Sequence, residues 1–429
     1  MVSRSGTSSG TLAILSAAAM LAGGISMTPA NAADLGGNCC ADLEERVAEL
    51  EATTARKGNR RVSLTISGQV TTAIMAWDDG DNSDTYVVDN VIGGGTFFQL
   101  AGSAKINPDV TAGFQLAFSF LNGSRSHQVN AFDDDAGGAD TNIVSHLSNW
   151  WIDHKSLGRL TVGRANTATA GITTIDLGGA GVIANASIGY IQRGFDDPNT
   201  GFSWNEWLGG VTVNGASLSR GNAIVYSTPT FGGFSASAAW GENDVWDVAL
   251  RYAGEFSGFR VAAGIGYINN SSGTNEVTDD DGTTASGFVA GTQPSQVKGS
   301  ASIQHVASGL FLTGAYLVQD NDLPDTPDTT LWYLQGGIAK NWTGLGNTVL
   351  YGEYARIEDG LAAAGSLGVP SPFSSEASMW GIGVVQHIDA AAMEVFLAYK
   401  QFGAEISLGP ASVDADDFSV VVGGARIRF

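Results

Sequence analysis

The chain has 429 residues, with 43 acidic against 21 basic side chains and a formal net charge of −22. That balance excludes nucleic acid as a partner, because a phosphate backbone calls for a basic surface. With 58 glycines and only 10 prolines, the composition suits a structure that shows apolar residues on one face only.

Residues 1–32 read as an address. Arg4 supplies a positive start, Thr11 to Leu21 an apolar core, and Ala30-Asn31-Ala32 a small-x-small cleavage site, so a secretory signal peptide cut after Ala32 is expected. No later segment reaches the roughly 20 apolar residues of a spanning helix. Cys39 and Cys40 are the only cysteines and are adjacent. An exported chain permits an interchain disulfide there, whereas lipidation is not expected because Asn38 precedes Cys39. Residues 42–57 form the one strongly helical stretch, with Leu43, Val47, Leu50 and Thr54 as a short heptad seam. Two heptads are too short to hold a partner alone, so the helix nucleates an oligomer, packs on the periplasmic mouth, touches the cell wall, or serves as a spacer.

The run Cys39 to Arg46, then Thr53 to Arg60, then Val62-Ser63-Leu64 resembles the opening of alphaproteobacterial (Rhizobiales-type) general diffusion porins. That resemblance implies a homotrimer of sixteen-stranded barrels in the Gram-negative outer membrane, passing small hydrophilic solutes. It divides the chain into a signal peptide (1–32), a periplasmic linker with the short helix (33–61), and a transmembrane barrel (62–429).

The pattern of residues 62–429 agrees. Alternating runs near 62–77, 96–107, 110–121, 143–155, 159–166, 221–229, 233–241, 244–256, 258–268, 296–308, 310–320, 329–341, 347–357, 377–389, 391–403 and 417–429 predict sixteen antiparallel strands. Tight turns such as Asn107-Pro108-Asp109 and Ser156-Leu157-Gly158 alternate with long acidic connections such as 78–95, 122–142 and 269–295. Parity assigns faces: Trp246, Val248, Leu250 and Tyr252 oppose Asp247, Arg251 and Glu255. Charge facing hydrocarbon costs about 2–4 kcal/mol for Arg or Lys near the midplane, so the charged phase faces a watery lumen. A soluble sandwich would put the apolar phase in a core instead. The chain stops on the apolar phase at Phe429, and by the porin resemblance this residue is the signal read by the barrel assembly machinery.

After Arg164 some fifty residues pass before alternation resumes. By resemblance this is the loop that folds into the barrel and narrows the channel, its acids facing bases on the wall. Parity nominates Lys105, Arg159, Arg251, Arg260, Lys400, Arg426 and Arg428 as lumen bases. Lys105, Arg159, Arg260, Lys400 and Arg428 fall near expected strand ends, which leaves Arg251 and Arg426 as constriction candidates. Asp176, Asp196, Asp197 and Glu206 are the acids nominated to oppose them. Arg164 falls in the outward phase, which suits a subunit interface better than lipid.

His146-Leu147-Ser148 places a histidine and a serine on one strand face, but no third residue to orient the histidine is identifiable. Gly178 to Gly181 lack the lysine and hydroxyl of a phosphate loop. Five scattered histidines make no zinc spacing. The expectation is a passive channel with no cofactor, no metal and no catalytic residue, filtering by size and charge. Its partners would be lipid, lipopolysaccharide joined through divalent cations, and small solutes. A sugar-selective porin would need a lumen line of aromatics, for which Trp77, Trp151, Trp204 and Trp207 look scattered. An envelope tether acting through the 42–57 helix is the other alternative.

Overall fold

A computed structural model describes residues 62–429 apart from 90, 92–94, 122–125, 127–128, 135–141, 209–219, 242–243, 270–294, 323–325 and 364–372. The expected signal peptide, Cys39-Cys40 and the helix expected over 42–57 therefore lie outside the described residues. Within them the alternating runs become strands: β1 (Ser63–Asp78), β2 (Ser83–Asp89), β3 (Phe97–Lys105), β4 (Val110–Leu121), β5 (Asn142–His154), β6 (Gly158–Asn166), β7 (Arg220–Ser227), β8 (Phe234–Gly241) and β9 (Trp246–Phe256). The second half supplies β10 (Phe259–Asn269), β11 (Ser295–His305), β12 (Leu310–Asp320), β13 (Thr329–Lys340), β14 (Thr348–Glu358), β15 (Phe373–Ile388), β16 (Met393–Leu408), β17 (Ala411–Asp414) and β18 (Phe418–Arg428).

All eighteen segments join one antiparallel sheet that closes on itself. β2 and β3 both pair with β1, and β17 and β18 both pair with β16, so each couple is one interrupted stave and the barrel has sixteen. Two expected loop segments are corrected here. Residues 83–89, inside the connection 78–95, pair in register with β1 from Thr72↔Asp89 to Asp78↔Ser83. Residues 411–414 pair back on β16 from Glu405↔Asp414 to Leu408↔Ala411. β2 is thus one half of the second stave, set against the same stretch of β1 that β18 pairs on its other edge, and β17 continues the last stave along β16 beyond Phe402.

Closure is made by β1 and β18, from Gln69↔Arg428 to Asp78↔Ser419. Gly68 and Phe429 exchange both backbone hydrogen bonds at 2.9 and 3.0 Å. A Cβ on Gly68 would stand 2.5 Å from the Phe97 carbonyl oxygen and 2.7 Å from the Phe429 ring, so this seam needs the bare backbone.

The outward phase is apolar, as lipid exposure requires. Exposed Val248, Leu250, Ile265, Leu312, Leu334, Leu350 and Ile382 form part of its band. Paired rings edge the band toward the long-connection end: Trp246 with Tyr267 at 5.3 Å, Trp332 with Tyr354 at 5.1 Å, and Trp380 with Tyr399 at 5.3 Å. At the tight-turn end Phe234 meets Tyr252 at 4.7 Å and Phe259 meets His305 at 4.8 Å. Amphipathic rings at both interfaces of an apolar band are expected of a membrane barrel.

Inside, the staves are not uniform. On β12 the inward residues Phe311, Thr313, Ala315, Leu317 and Gln319 are all buried, and β13, β14 and β16 repeat the pattern. The cover is the connection between β6 and β7, which runs inside the barrel. Val182, Ile183, Ala184, Ile188, Ile191, Phe195, Trp204 and Trp207 of this connection form one apolar cluster with Phe311, Leu331, Val349, Phe396, Phe402, Phe418 and Trp77 of the wall. Phe195 packs at 4.8 Å on both Trp77 and Phe418. Fully burying side chains of this size is worth about 1.5–3 kcal/mol each, which fixes the loop as part of the core.

Candidate functional site: the channel interior

The inner loop is tied down along its course by polar groups that the inward parity of the strands supplies. At its start, buried Asp247 on β9 accepts from the Ala168 backbone N–H at 3.0 Å, and from the Thr169 N–H and hydroxyl at 2.6 and 2.7 Å. The Arg251 guanidinium donates to the Ala168 and Ala170 carbonyls at 2.8 and 2.7 Å and to Ser237 at 3.2 Å. Further along, Ser300 donates to the Ile172 carbonyl, and Leu177 N–H donates to Ser302 Oγ at 3.0 Å. His387 Nε2 lies 3.0 Å from the Gly179 carbonyl. Inward side chains of β8, β9, β11 and β15 thus cradle the loop backbone.

The acids nominated from sequence sit as follows. Asp176 accepts from the N–H groups of Gly178, Gly179 and Ala180 at 2.6, 3.0 and 3.0 Å, bracing its own turn. Asp197 is fully buried; it holds Thr200 and accepts from Asp416 N–H at 2.7 Å, fastening the loop to the segment before β18. Glu206 closes a capping box with Ser203 on the one-turn helix α1 (Trp204–Trp207). Asp196 is exposed beside it, and desolvation followed by repulsion from Glu206 lifts its carboxyl above the ordinary range. Three of the four carboxylates therefore engage loop backbone.

Among the bases, every nominated residue has the inward phase that parity assigned. Their depths differ from expectation. Lys400 is not near a strand end: β16 extends to Leu408, and Lys400 is buried at 2.8 Å from Glu353 Oε1. That contact is an ion pair rather than an aligned hydrogen bond, while Tyr333 donates to the other Glu353 oxygen at 2.8 Å. Arg426 donates to Glu394 at 2.6 Å, and Arg428 reaches the same carboxylate at 3.1 Å, near the tight-turn end. Arg159 pairs with Asp153 at 3.2 Å and Arg260 with Glu255 at 3.0 Å, both exposed. Lys105 is exposed at the end of β3. Arg164 keeps its outward phase, in register between Ser148 and Asn222.

A β-bulge at the β4–β5 pairing shifts His146 out of step, between Ala117↔Leu147 and Phe118↔Ser145. Its Nδ1 lies 2.9 Å from Ser119 Oγ and 3.1 Å from Arg220, so that nitrogen accepts from a guanidinium and is not free to activate a nucleophile. Ser148 stands opposite Leu116 in the register, and the serine beside the Nδ1 is Ser119 of the neighbouring strand.

Where the loop does not cover it, the inner wall meets water. On β3 and β4 the inward residues Gln99, Ala101, Thr111 and Gln115 are half-buried, unlike their counterparts on β12–β16. At mid-height this wall carries amides: Gln115 donates to Gln99 at 2.8 Å, and Asn149 beside Gln115 donates to the Arg164 carbonyl at 2.9 Å. Sequence reasoning, looking for charge, passed over these amides. Parity alone would have found them, since Gln99 shares the phase of Lys105.

The architecture matches solved porins. An anion-selective porin from Comamonas acidovorans superposes with a TM-score of 0.55 at 16% identity, covering 86% of this chain and 100% of that one. OmpF of Salmonella typhi, in complex with daunomycin, gives 0.52 at 15% identity over 86% and 98%. The trimer form of OmpT, an outer-membrane protein of Vibrio cholerae, gives 0.52 at 12% identity over 86% and 99%. No curated protein sequence matches the chain. At such identities the structural likeness establishes fold. A sequence-family model of Gram-negative porins matches residues 16–339, and the chain accordingly belongs to that family, as a diffusion channel of the outer membrane and not an enzyme.

Proposed function

We propose that the protein works as a homotrimer of loop-narrowed pores of the alphaproteobacterial general-diffusion type, passing small hydrophilic solutes by size and lumen charge without energy coupling. One observation carries the mechanism: the inward face is buried beneath the inner loop on β12–β16 and half-exposed on β3 and β4. Water and solutes take the side bounded by β3–β6, with the loop as the opposite bank. Asp176, Asp197, Glu206 and Arg251 hold that bank in place, while Asp196 and the Glu394–Arg426–Arg428 group lend charge along the route. A fixed field of this kind orders small solutes without tight binding.

The trimer reading is supported by Ser148, Arg164 and Asn222, a polar outward strip that hydrocarbon would penalise and a subunit contact would not. The subfamily reading rests on the opening at residues 39–64. By the same resemblance Phe429 engages the assembly machinery, and the acidic outer loops join lipopolysaccharide through divalent cations. Single-channel recording of the purified protein in a planar bilayer tests the whole reading. Large ohmic steps in groups of three are expected; silence from folded barrels would overturn it and promote the tether.

A further inference from the structure

We propose that the open wall of the channel is a recognition track for neutral polyhydroxyl solutes, with Gln99 and Gln115 as its hydrogen-bonding pair and Trp151 with Arg159 as its platform. This rests on the preceding assignment of β3–β6 as the aqueous wall. The two glutamine side chains hydrogen-bond each other at 2.8 Å across β3 and β4. Among the described residues their remaining amide groups have no protein partner. In either orientation of the amides, the pair keeps one NH2 and one carbonyl facing the lumen. A donor and an acceptor fixed side by side match the adjacent hydroxyls of a sugar, each of which both donates and accepts.

The platform follows in register. Gln115 pairs with Asn149, and Trp151 is the next inward residue on the same strand, a diagonal neighbour at about 7–8 Å between backbones. Trp151 lies flat on the wall because Gly113 has no side chain: a Cβ there would stand 2.3 Å from the indole ring. The Arg159 guanidinium layers on this ring at 4.3 Å from its centre, and its charge is matched by Asp153 at 3.2 Å. The result is a flat guanidinium surface backed by the indole, whose in-plane N–H groups can donate to the hydroxyls of a pyranose lying along it.

Charge argues for neutrality of the solute. The glutamine pair is uncharged and the Arg159–Asp153 pair is internally balanced, so an ion gains nothing here for the water it sheds. A hydroxylated neutral solute exchanges water hydrogen bonds for amide ones at little cost. The scattered tryptophans of the sequence resolve accordingly: Trp77, Trp204 and Trp207 are buried in the loop core, and Trp151 alone of the four faces the open wall.

The test is ion conductance through trimers in a planar bilayer, titrated with maltose and, separately, with polyethylene glycol of equal hydrodynamic size. Maltose is expected to reduce conductance saturably, and the polymer only in proportion to its concentration. Gln115→Leu should raise the half-saturating maltose concentration at least fivefold, and Trp151→Leu should do the same. Equal, unsaturable effects of maltose and polymer on the unaltered protein would overturn the proposal without recourse to any variant. Absence of conductance altogether would instead strike the channel reading on which it rests.

Discussion

Two ionisable residues show how burial decides what a charge does. Lys400 and Glu353 face each other across β15 and are nearly inaccessible. Neither can act on passing ions; their role is to satisfy one another beneath the loop. Removing one partner of a buried pair strands the other, which costs about 3–5 kcal/mol. Lys400→Met is therefore expected to lower unfolding stability in urea by that amount, and adding Glu353→Gln to recover a large part of it, since Tyr333 can still donate to the amide. Equal losses for the single and double variants would show the pair to be uncoupled. Asp416 illustrates the opposite case. Desolvation, then the carboxylates of Asp197, Asp81, Asp79 and Asp417, raise its carboxyl above the usual value. A raised folded-state value means the segment is most stable below the ordinary carboxylate range and loses that advantage as pH rises. Asp416→Asn removes the repulsion while keeping the backbone N–H that Asp197 uses. Its melting temperature should rise slightly at pH 7, and the gain should vanish in acid.

The inner loop is the element on which the channel's width depends, and its attachment is unequal. The stretch 182–208 is held by apolar burial, whereas 168–179 hangs on hydrogen bonds to Asp247, Arg251, Ser300, Ser302 and His387. Asp247 alone receives three of them. Leaving a buried donor without an acceptor costs about 1–3 kcal/mol, so Asp247→Ala should free the first turn of the loop while the barrel stays closed. The expected record is a larger and noisier single-channel current from trimers that still resist detergent; a quiet, unchanged current would show that the apolar stretch suffices.

The elements themselves were largely legible in sequence, since period-two alternation survives wherever one face meets lipid. Legibility failed where both faces turned out apolar. In Leu310–Asp320 the inward Phe311, Ala315 and Leu317 are as hydrophobic as the outward Leu312, Tyr316 and Val318. Read by itself such a run says only that each face is buried, not that the inner one lies under a loop 100 residues earlier in the chain. For the same reason Lys400 was placed in a watery lumen. The short β2 and β17 were missed because their acidic, exposed residues resemble loop, and only pairing with a neighbour makes them strands.

At the scale of the whole molecule the question is which side of the barrel meets other copies. Trp–Tyr pairs edge β9, β10 and β13–β16, marking those faces for lipid, while Arg164 stands outward on β6 between Ser148 and Asn222. Arg164→Leu separates the two environments by sign. Facing lipid, the change would remove a cost of about 2–4 kcal/mol and strengthen the barrel. At a subunit contact it would remove a polar anchor, and trimers should fall apart at a lower temperature on unheated gels. The second outcome is expected.

The seam between β1 and β18 sets a schedule as well as a shape. The first stave of the barrel has its closing partner at the far end of the chain, so no ribosome-bound or half-exported fragment can complete the hydrogen bonds of Gly68. Joining ends so distant carries an entropic penalty that only the finished sheet repays. Until residue 429 has arrived, the edge of β1 is an open template for any other strand. A barrel closed this way completes its sheet late, once the two strands of the seam have been brought together.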